Sequence, residues 1–335
     1  MKRVQFIEWL LILSFVFSVG CQSKQSQSYG PKSFSGDGFT AIVVAYAPEM
    51  IGVEEVIAAN ADASIDSELT IKGVRYSLGS YQGQPIVVFA TGMSIANAAM
   101  TMQMAIDYFP IKEVIYMGIA GAVNPELQPG DVIIPERWYY HDESVYSNPD
   151  PEEEGAFILP DYYESFLETQ LERKATDPNE PSYEPFAFIQ PDEVLVIKDG
   201  MSEPEGKAYF EATPRLLEVA IAAVADLEPE TVVDLRDTLY SVGGNGVTGS
   251  VFMDNRAYRK WIRNVWNAEV TEMESAAIGQ VCYINEIDWI IIRAISDLAG
   301  GQEGKNVENH YDVAASRVGA KVLFAILDEL LSSVE

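Results

Sequence analysis

The chain is poor in the residues that usually build metal sites. Its 335 residues include two histidines and two cysteines. His141 and His310 are far apart in sequence and neither belongs to a recognisable metal-ligand spacing, so a zinc site is not expected. Cys282 lies in the apolar helical pattern AAIGQVCYI and is interpreted as a small buried hydrophobe rather than a nucleophile.

Basic residues are also scarce. The chain has 22 Lys and Arg against 51 Asp and Glu, which gives a formal net charge of −29 at pH 7. Such a surface repels phosphate backbones, so nucleic-acid binding is not expected, and the acidity is interpreted as an aid to solubility or an adaptation to salt. The chain has neither a Walker loop nor a G-x-G-x-x-G fingerprint in the right setting. Nucleoside triphosphates and NAD are therefore not indicated, and no cofactor is predicted.

Long hydrophobic runs are rare, and the one at the N-terminus indicates export. Residues 1–21 have a short basic end followed by WLLILSFVFSVG, which is too short for a comfortable membrane span and fits a signal peptide. FSVGC resembles a bacterial lipoprotein signal, which would make Cys21 the lipidated N-terminus, unable to form a disulfide with Cys282. A plain signal peptide is the alternative. Gln22 favours an outer-membrane anchor that faces the periplasm or the exterior. The polar residues 22–38 are predicted to form a flexible tether.

The pattern of apolar runs after the tether predicts a parallel α/β sheet. Three runs, TAIVVAYAP, QPIVVFATG and EVIYMGIAG, have the length and composition of buried strands, and the last two end in glycine. A helical pattern, SIANAAMTMQMAIDYF, lies between the second and the third. In sheets of this kind, ligands bind at the carboxyl ends of the strands.

The remainder of the chain alternates in the same way. Residues 143–193 are dense in Pro and Glu and are predicted to form a surface insertion with one amphipathic helix, YYESFLETQLERK. TLYSVGGNGVTGSVF is predicted to be a strand followed by a glycine-rich loop. The other predicted strands and helices are GDVIIPERWYYHD, TPRLLEVAIAAVADL, NRAYRKWIRNVW, SAAIGQVCYINEI, DWIIIRAISD and DVAASRVGAKVLFAILDELLSS.

Paired acids and strand-end charges are the features that point to chemistry. Glu272 and Glu274 flank Met273 just ahead of, or in, the first turn of a helix, and no Lys or Arg occurs between Arg263 and Arg293. The acids could simply interact favourably with the helix dipole, although this does not explain why no basic residue is near them in the sequence. Arg293 and Asp297 lie at the end of an apolar strand. They either form a structural ion pair, or Asp297 is an acid in a pocket.

Several of these segments resemble the 5′-methylthioadenosine/S-adenosylhomocysteine nucleosidases of the nucleoside phosphorylase superfamily. The resemblance rests on EMESAAIGQVCYINEIDWIIIRAISDLAGG, GIAGAVNPELQPGDVIIPERWYYHD and TGMSIANAA, whereas GVTGSVFMDNRAYRKWI is closer to the plant bark storage and wound-induced relatives. It covers residues 40–142 and 235–330. The fold it implies is a single α/β domain over residues 39–335, with a central mixed, largely parallel twisted sheet flanked by helices. Relatives are commonly homodimers, which implies a homodimer here.

The resemblance also implies roles for the acids. Glu274 would bind the ribose 2′ and 3′ hydroxyls, Met273 would pack under the sugar, and Glu272 would shape the ribose side of the pocket. Asp297 would protonate N7 of a purine, which makes the base a better leaving group. Burial would raise the pKa of Asp297 toward the working range. The remaining implied substrate-binding positions are Thr91, Gly92, Ala120, Gly246, Val247, Arg293 and Ser296.

The identity of the nucleophile depends on the first strand and on charge. That strand ends VAYAPEM, without Arg or Gly, and Arg293 is the only basic residue in the matched pocket motifs. A phosphate dianion would be poorly compensated, so hydrolysis is favoured over phosphorolysis. Glu49 is the candidate for activating water, with Glu54 or Glu55 as alternatives.

The matched motifs leave two points open. The family's aromatic residue that stacks on the base is replaced by Gly246 here, and the possible substitutes are Tyr46, Trp138, Phe252 and Tyr311. The predicted activity is hydrolysis of the N-glycosidic bond of purine nucleosides, such as 5′-methylthioadenosine, S-adenosylhomocysteine or adenosine. A phosphate-dependent nucleoside phosphorylase and a non-catalytic nucleoside-binding or storage protein are the alternatives.

Overall fold

The structure is a computed structural model that describes residues 38–177, 180–232 and 236–332. The predicted export signal and lipidation site at Cys21 lie outside the described residues, as does the predicted tether except for Gly38. Within the described residues, no helix combines the length and the hydrophobicity needed to cross a membrane.

The described residues form alternating strands and helices. In chain order the strands are β1 Phe39–Val44, β2 Ala63–Ile71, β3 Val74–Tyr81, β4 Gln84–Ala90, β5 Ile111–Ala122, β6 Val132–Ile134, β7 Arg137–Tyr140, β8 Ser144–Tyr146, β9 Asn148–Pro149, β10 Phe157–Ile158, β11 Ile189–Pro191, β12 Val194–Val196, β13 Glu205–Lys207, β14 Tyr209–Glu211, β15 Tyr240–Val242, β16 Asn245–Thr248, β17 Ala268–Glu272 and β18 Asp288–Asp297. The helices are α1 Ala47–Ala59, α2 Ile95–Tyr108, α3 Asp161–Thr176, α4 Pro214–Ala225, α5 Arg256–Trp266, α6 Ser275–Asn285 and α7 Glu308–Ser332.

The main sheet is mixed, with a parallel centre. Its longest path runs β14-β7-β16-β17-β5-β1-β4-β3-β2, and β18, β6 and β15 join it beside β5. Strands β4, β1, β5 and β18 are mutually parallel, whereas β17 is antiparallel to the end of β5. The predicted α/β fold with a mixed, largely parallel sheet is therefore confirmed. Because β1 pairs with the first half of β5 and β17 with its last residues, the sheet divides beside the end of β5.

Helices cover both faces of the sheet, which explains the continuous apolar runs. Along β1, Ala41 and Val43 join one hydrophobic cluster with residues of α2 and α6. Ile42 and Val44 join a second cluster with residues of α1, α4 and α7. Successive side chains of a strand point to opposite faces, so a strand buried on both faces is apolar throughout.

Two features of the sheet differ from the sequence prediction. The hairpin of β2 and β3 was not predicted, because β2 is largely exposed and polar; its turn at Lys72 and Gly73 has positive φ at both residues, as a two-residue hairpin requires. The predicted glycine-rich loop is mostly strand β16. Gly246 is needed there because a Cβ would lie 2.4 Å from the ring of the buried Trp138.

The residues predicted to form a surface insertion pack against α5. The predicted helix corresponds to α3, and β8 pairs with β11. The Phe186 ring lies 5.5 Å from that of Trp261, and the Trp261 indole donates a hydrogen bond to the Glu184 carbonyl at 2.7 Å. The segment therefore supports the helix that follows the loop 249–255.

Candidate active site

A cavity lies where the carboxyl ends of β1, β5, β17 and β18 meet. Its position follows from the branching of the sheet beside β5, and it agrees with the predicted binding edge. The residues that line it are Ala45, Tyr46, Glu49, Met93, Ile119, Ala120, Gly121, Val251, Phe252, Met253, Thr271, Glu272, Met273, Glu274, Ser296, Asp297 and Glu308.

Arg293 is the counter-charge of the acidic motif. Its side chain is 0% exposed, and its Nη2 forms an ion pair with Glu272 and lies 3.5 Å from Glu274 Oε2. Its Nη1 lies 3.9 Å from Glu49 Oε1. The acids that lack a nearby base in the sequence are thus compensated by a residue of β18, which lies on the other side of β5 from β17. The guanidinium pairs with glutamates, so the alternative of a structural Arg293–Asp297 pair is not what the structure contains.

Neutral groups complete the surroundings of Arg293. The guanidinium donates hydrogen bonds to Ser275 Oγ at 2.8 Å and to the Ile119 carbonyl at 3.1 Å. It also lies over the Tyr116 ring, 4.9 Å from its centroid. Gly118 leaves room for this arrangement, since a Cβ there would lie 2.0 Å from Arg293 Nη1. The first glycine of the GIAG motif is therefore needed to make space for the Arg293 guanidinium.

Glu272 is held by the protein itself. Its carboxylate accepts hydrogen bonds from the backbone N–H groups of Glu274 and Ser275, both at 2.9 Å, and from the Thr248 hydroxyl. These donors lie at the start of α6, so the helix-dipole interpretation is correct for this acid. The same carboxylate pairs with Arg293 and reaches the cavity wall, which links the helix, the ion cluster and the pocket.

Glu274 is an acid in the cluster whose protonation its surroundings favour. It immediately precedes α6 and is buried, and its Oε1 accepts a hydrogen bond from the Ser94 backbone N–H at 2.7 Å. Burial and the neighbouring Glu272 raise the pKa of Glu274 to about 8, although Arg293 opposes the shift. The cluster therefore holds a proton at neutral pH.

Glu49 is the only one of the three predicted water-activating candidates that reaches the cavity. Its Oε1 accepts from the Ile119 N–H at 2.8 Å and its Oε2 from the Ala45 N–H at 2.6 Å. Burial raises its pKa, and Arg293 partly offsets this. Glu54 and Glu55 are exposed and pair with arginines on the surface.

Asp297 has different hydrogen-bond partners from the glutamates around Arg293. It is buried at the end of β18 and accepts hydrogen bonds from the Ala299 N–H at 2.7 Å and the Ser296 hydroxyl at 3.0 Å. Burial raises the pKa of Asp297, whereas these donors lower it. A buried carboxyl held by neutral donors can keep a proton more readily than an exposed aspartate.

The structure brings most of the predicted site residues to the cavity, but five are not part of its lining: Gly246, Val247, Thr91, Gly92 and Arg293. Gly246 and Val247 belong to β16, where they pair with strands on both sides, so their backbone groups serve the sheet. Thr91 and Gly92 follow β4, and the Thr91 hydroxyl donates to the Gly92 carbonyl at 2.9 Å. The segment that follows β16, residues 251–253, lines the cavity instead.

The aromatic candidates separate by position. Tyr46 and Phe252 line the cavity, whereas Trp138 is buried beneath Gly246 and Tyr311 is not part of the lining. Glu308 also lines the cavity and was not predicted; it accepts a hydrogen bond from the Tyr46 hydroxyl at 3.2 Å. An acid in the first turn of a helix is so common that the sequence offers no signal for it.

Acidic side chains dominate the lining of the cavity. Five carboxylates line it, and no Lys or Arg does so among the described residues: Glu49, Glu272, Glu274, Asp297 and Glu308. No group of His, Cys, Asp and Glu in the described part of the chain is arranged to hold a metal ion.

Comparison with known proteins assigns the chain to a family. The model of the phosphorylase superfamily matches residues 40–332, and the chain therefore belongs to this superfamily. A 5′-methylthioadenosine/S-adenosylhomocysteine nucleosidase of Marinomonas sp. (strain MWYL1) is 28% identical over 263 residues, which cover 78% of this chain and 89% of the relative.

Two solved structures share the fold. Futalosine hydrolase of Helicobacter pylori strain 26695 has a TM-score of 0.60 at 19% identity and covers 87% of this chain and 97% of its own. The 5′-methylthioadenosine/S-adenosylhomocysteine nucleosidase of Neisseria meningitidis, in complex with methylthio-immucillin-A, has a TM-score of 0.60 at 21% identity. It covers 86% of this chain and 98% of its own.

The raised pKa of Glu274 gives a test by protein stability. The folded state holds this proton more tightly than the unfolded chain, so stability is present below the ordinary value of 4.5 and is lost as the pH rises through about 8. The glutamine of Glu274→Gln cannot titrate. The thermal midpoint of this variant, relative to that of the wild type, should therefore rise between about pH 5 and pH 8, by roughly 2–4 °C for each kcal/mol of stability that the wild type loses.

Glu54→Gln, at an exposed acid, is the control for this measurement. The difference in midpoint between Glu54→Gln and the wild type should stay constant with pH. If the Glu274→Gln difference is equally constant, the carboxyl does not hold a proton in the folded state.

Proposed function

We propose that this protein hydrolyses the N-glycosidic bond of purine nucleosides of the 5′-methylthioadenosine, S-adenosylhomocysteine or adenosine type and releases the free base and the sugar. The observation that carries the proposal is a cavity lined by five carboxylates, with its nearest guanidinium buried behind them. The name of the Marinomonas relative agrees with this chemistry.

The acidic lining suits the charge that develops during glycosidic cleavage. As the bond to the base breaks, the sugar takes on the character of an oxocarbenium ion, and nearby carboxylates stabilise its positive charge. Glu274 lies at the cavity wall with Met273 beside it, so the carboxylate can accept hydrogen bonds from the ribose hydroxyls while the thioether packs under the ring.

Asp297 is assigned as the acid and Glu49 as the base. Asp297 can donate its proton to the leaving base, since burial raises its pKa. Glu49 can accept a proton from water because its pKa is also raised, and the N–H groups of Ala45 and Ile119 hold both of its oxygens in place. The two acids have different neighbours and therefore take different parts in the reaction.

The charge distribution favours water over phosphate as the attacking group. Arg293 is already surrounded by three glutamates and does not line the cavity. A phosphate dianion in the cavity would face carboxylates without a cation to pair with, whereas a neutral water molecule pays no such cost.

Release of free base is the direct test of this function. The wild type should release adenine from 5′-methylthioadenosine, S-adenosylhomocysteine or adenosine at the same rate with and without phosphate. Asp297→Asn should lower kcat/KM by about 10²-fold or more, because it removes the proton donor, and Glu49→Gln should do the same by removing the base. Glu54→Gln and Glu55→Gln are matched controls at exposed acids of the same helix and should keep wild-type activity.

Two other outcomes would support the alternative functions. Release that requires phosphate would make the protein a nucleoside phosphorylase. Absence of release from every nucleoside, with adenine still bound in calorimetry, would make it a nucleoside-binding or storage protein.

The location of the protein is part of the proposal. The leader-like residues 1–21 and the following Gln22 support a lipid-anchored protein of the outer membrane, with the anchor on Cys21. In a bacterial host, the wild type should incorporate labelled palmitate, whereas Cys21→Ala should not. Absence of the label from the exported wild type would contradict a lipid anchor at this cysteine.

A homodimer is the proposed assembly. Exposed apolar side chains occur on α2 and on the segment after β16, including Met100 at 63% and Phe252 at 60% exposure, and Phe252 also lines the cavity. A second copy would remove them from water. Sedimentation should give twice the chain mass for the wild type and a monomer for Met100→Glu. A monomeric wild type at micromolar concentration would contradict the proposal.

A further inference from the structure

Asn306 connects the acid of the site to two other segments. It lies two residues before α7, and its Oδ1 accepts a hydrogen bond from the Glu308 N–H at 2.8 Å. Its Nδ2 donates to Asp297 Oδ1 at 3.1 Å and to Asp254 Oδ1 at 3.2 Å. One half-buried amide thus caps the start of a helix and lies between two carboxylates from different parts of the chain.

The two oxygens of Asp297 have unequal partners. Oδ1 accepts from the Ala299 N–H at 2.7 Å and from Asn306, and neither group can act as an acceptor when its N–H faces the carboxyl. Oδ2 accepts from the Ser296 hydroxyl at 3.0 Å, which also lies 3.3 Å from the Ala120 carbonyl. A proton on Oδ1 would confront two N–H donors. A proton on Oδ2 requires only that the Ser296 hydroxyl turn to the carbonyl.

We propose that Asn306 is a positioning residue that keeps Oδ1 of Asp297 as an acceptor, and so places the transferable proton on Oδ2. The inference deepens the proposed function, on which it rests, because the orientation of the proton decides whether it can reach the leaving base. Asn306 itself need not contact the substrate.

The Asn306 amide is a neutral donor to Asp297 among acidic side chains. Asp254 faces it from the segment before α5, and Glu308 faces it from α7. The arginines of α5 are directed elsewhere: Arg256 donates to the Gln302 carbonyl at 2.9 Å and Arg259 to the Ala122 carbonyl at 2.8 Å. Without the Nδ2 donor, the Asp297 carboxyl would face Asp254 directly and would hold its proton more tightly.

The test compares Asn306→Asp with the wild type, since this variant keeps the acceptor for the Glu308 N–H and loses the donor. The profile of kcat/KM against pH should fall at its maximum by about 10-fold or more, and its high-pH limb should move upward because Asp297 deprotonates later. In the Asp297→Asn background, Asn306→Asp should have no further effect on activity. Because the new carboxylate raises the pKa of Asp297 by its charge alone, the neutral variant Asn306→Ser must move the limb in the same direction. A purely structural role would leave the limb of Asn306→Ser in place and would add to the effect of Asp297→Asn.

Two further variants keep the test sharp. Gln302→Ala removes the other side-chain donor to Asp254, at 2.7 Å, without touching Asp297, and should leave the profile unchanged. Asn306→Ser removes the donor without adding a charge, because its hydroxyl can cap the helix but is too short to reach Asp297. An unchanged pH limb in a folded variant overturns the proposal.

An infrared measurement separates this inference from the proposed function. The C=O stretch of protonated Asp297, assigned by its absence in Asp297→Asn, should lie at low frequency because Oδ1 accepts two hydrogen bonds. It should rise in Asn306→Asp, whether or not the wild type releases base. An unchanged frequency would overturn the role of Asn306, whereas a lack of base release in the wild type would count against the proposed function alone.

Discussion

The guanidinium of Arg293 lies in the interior of the protein with three glutamates around it, and much of the site is arranged so that this charge stays compensated. Glu272 pairs with it while capping α6, and Gly118 leaves the space it occupies on β5. Removal of one partner of a buried ion pair typically costs about 3–5 kcal/mol, because the other charge is left in a poorly solvated place. The ion cluster therefore fixes the positions of β5, β18 and α6 relative to one another.

This arrangement also determines what the cavity can accept. One guanidinium cannot neutralise three carboxylates, and a proton held by Glu274, whose pKa is raised to about 8, reduces the excess negative charge. The cavity is consequently suited to hydroxyl groups and to developing positive charge, and unsuited to anions. A single buried cation thus accounts for a site that favours a sugar cation and disfavours phosphate.

The parts of this design that could be predicted from the sequence are those with a local pattern. The apolar runs of β1, β5 and β18 predicted the sheet, and the acids around Met273 and the strand-end Asp297 predicted its binding edge. The partners of Arg293 could not be predicted, since Glu49 lies 244 positions away along the chain and only the fold brings the two together. The hairpin of β2 and β3 was missed because its exposed, polar strand lacks an apolar run.

The two sides of the cavity differ in how they hold their acids. Glu49, Glu272 and Glu274 share a cation, whereas Asp297 has only neutral donors from the Ala299 backbone, Ser296 and Asn306. A cation next to a carboxylate favours the charged form over a long range, but a neutral donor acts on the one oxygen it contacts. The first arrangement suits acids that offer acceptor oxygens to the sugar and water. The second lets a proton stay on Asp297 and fixes the oxygen that carries it, which is what an acid directed at the base requires.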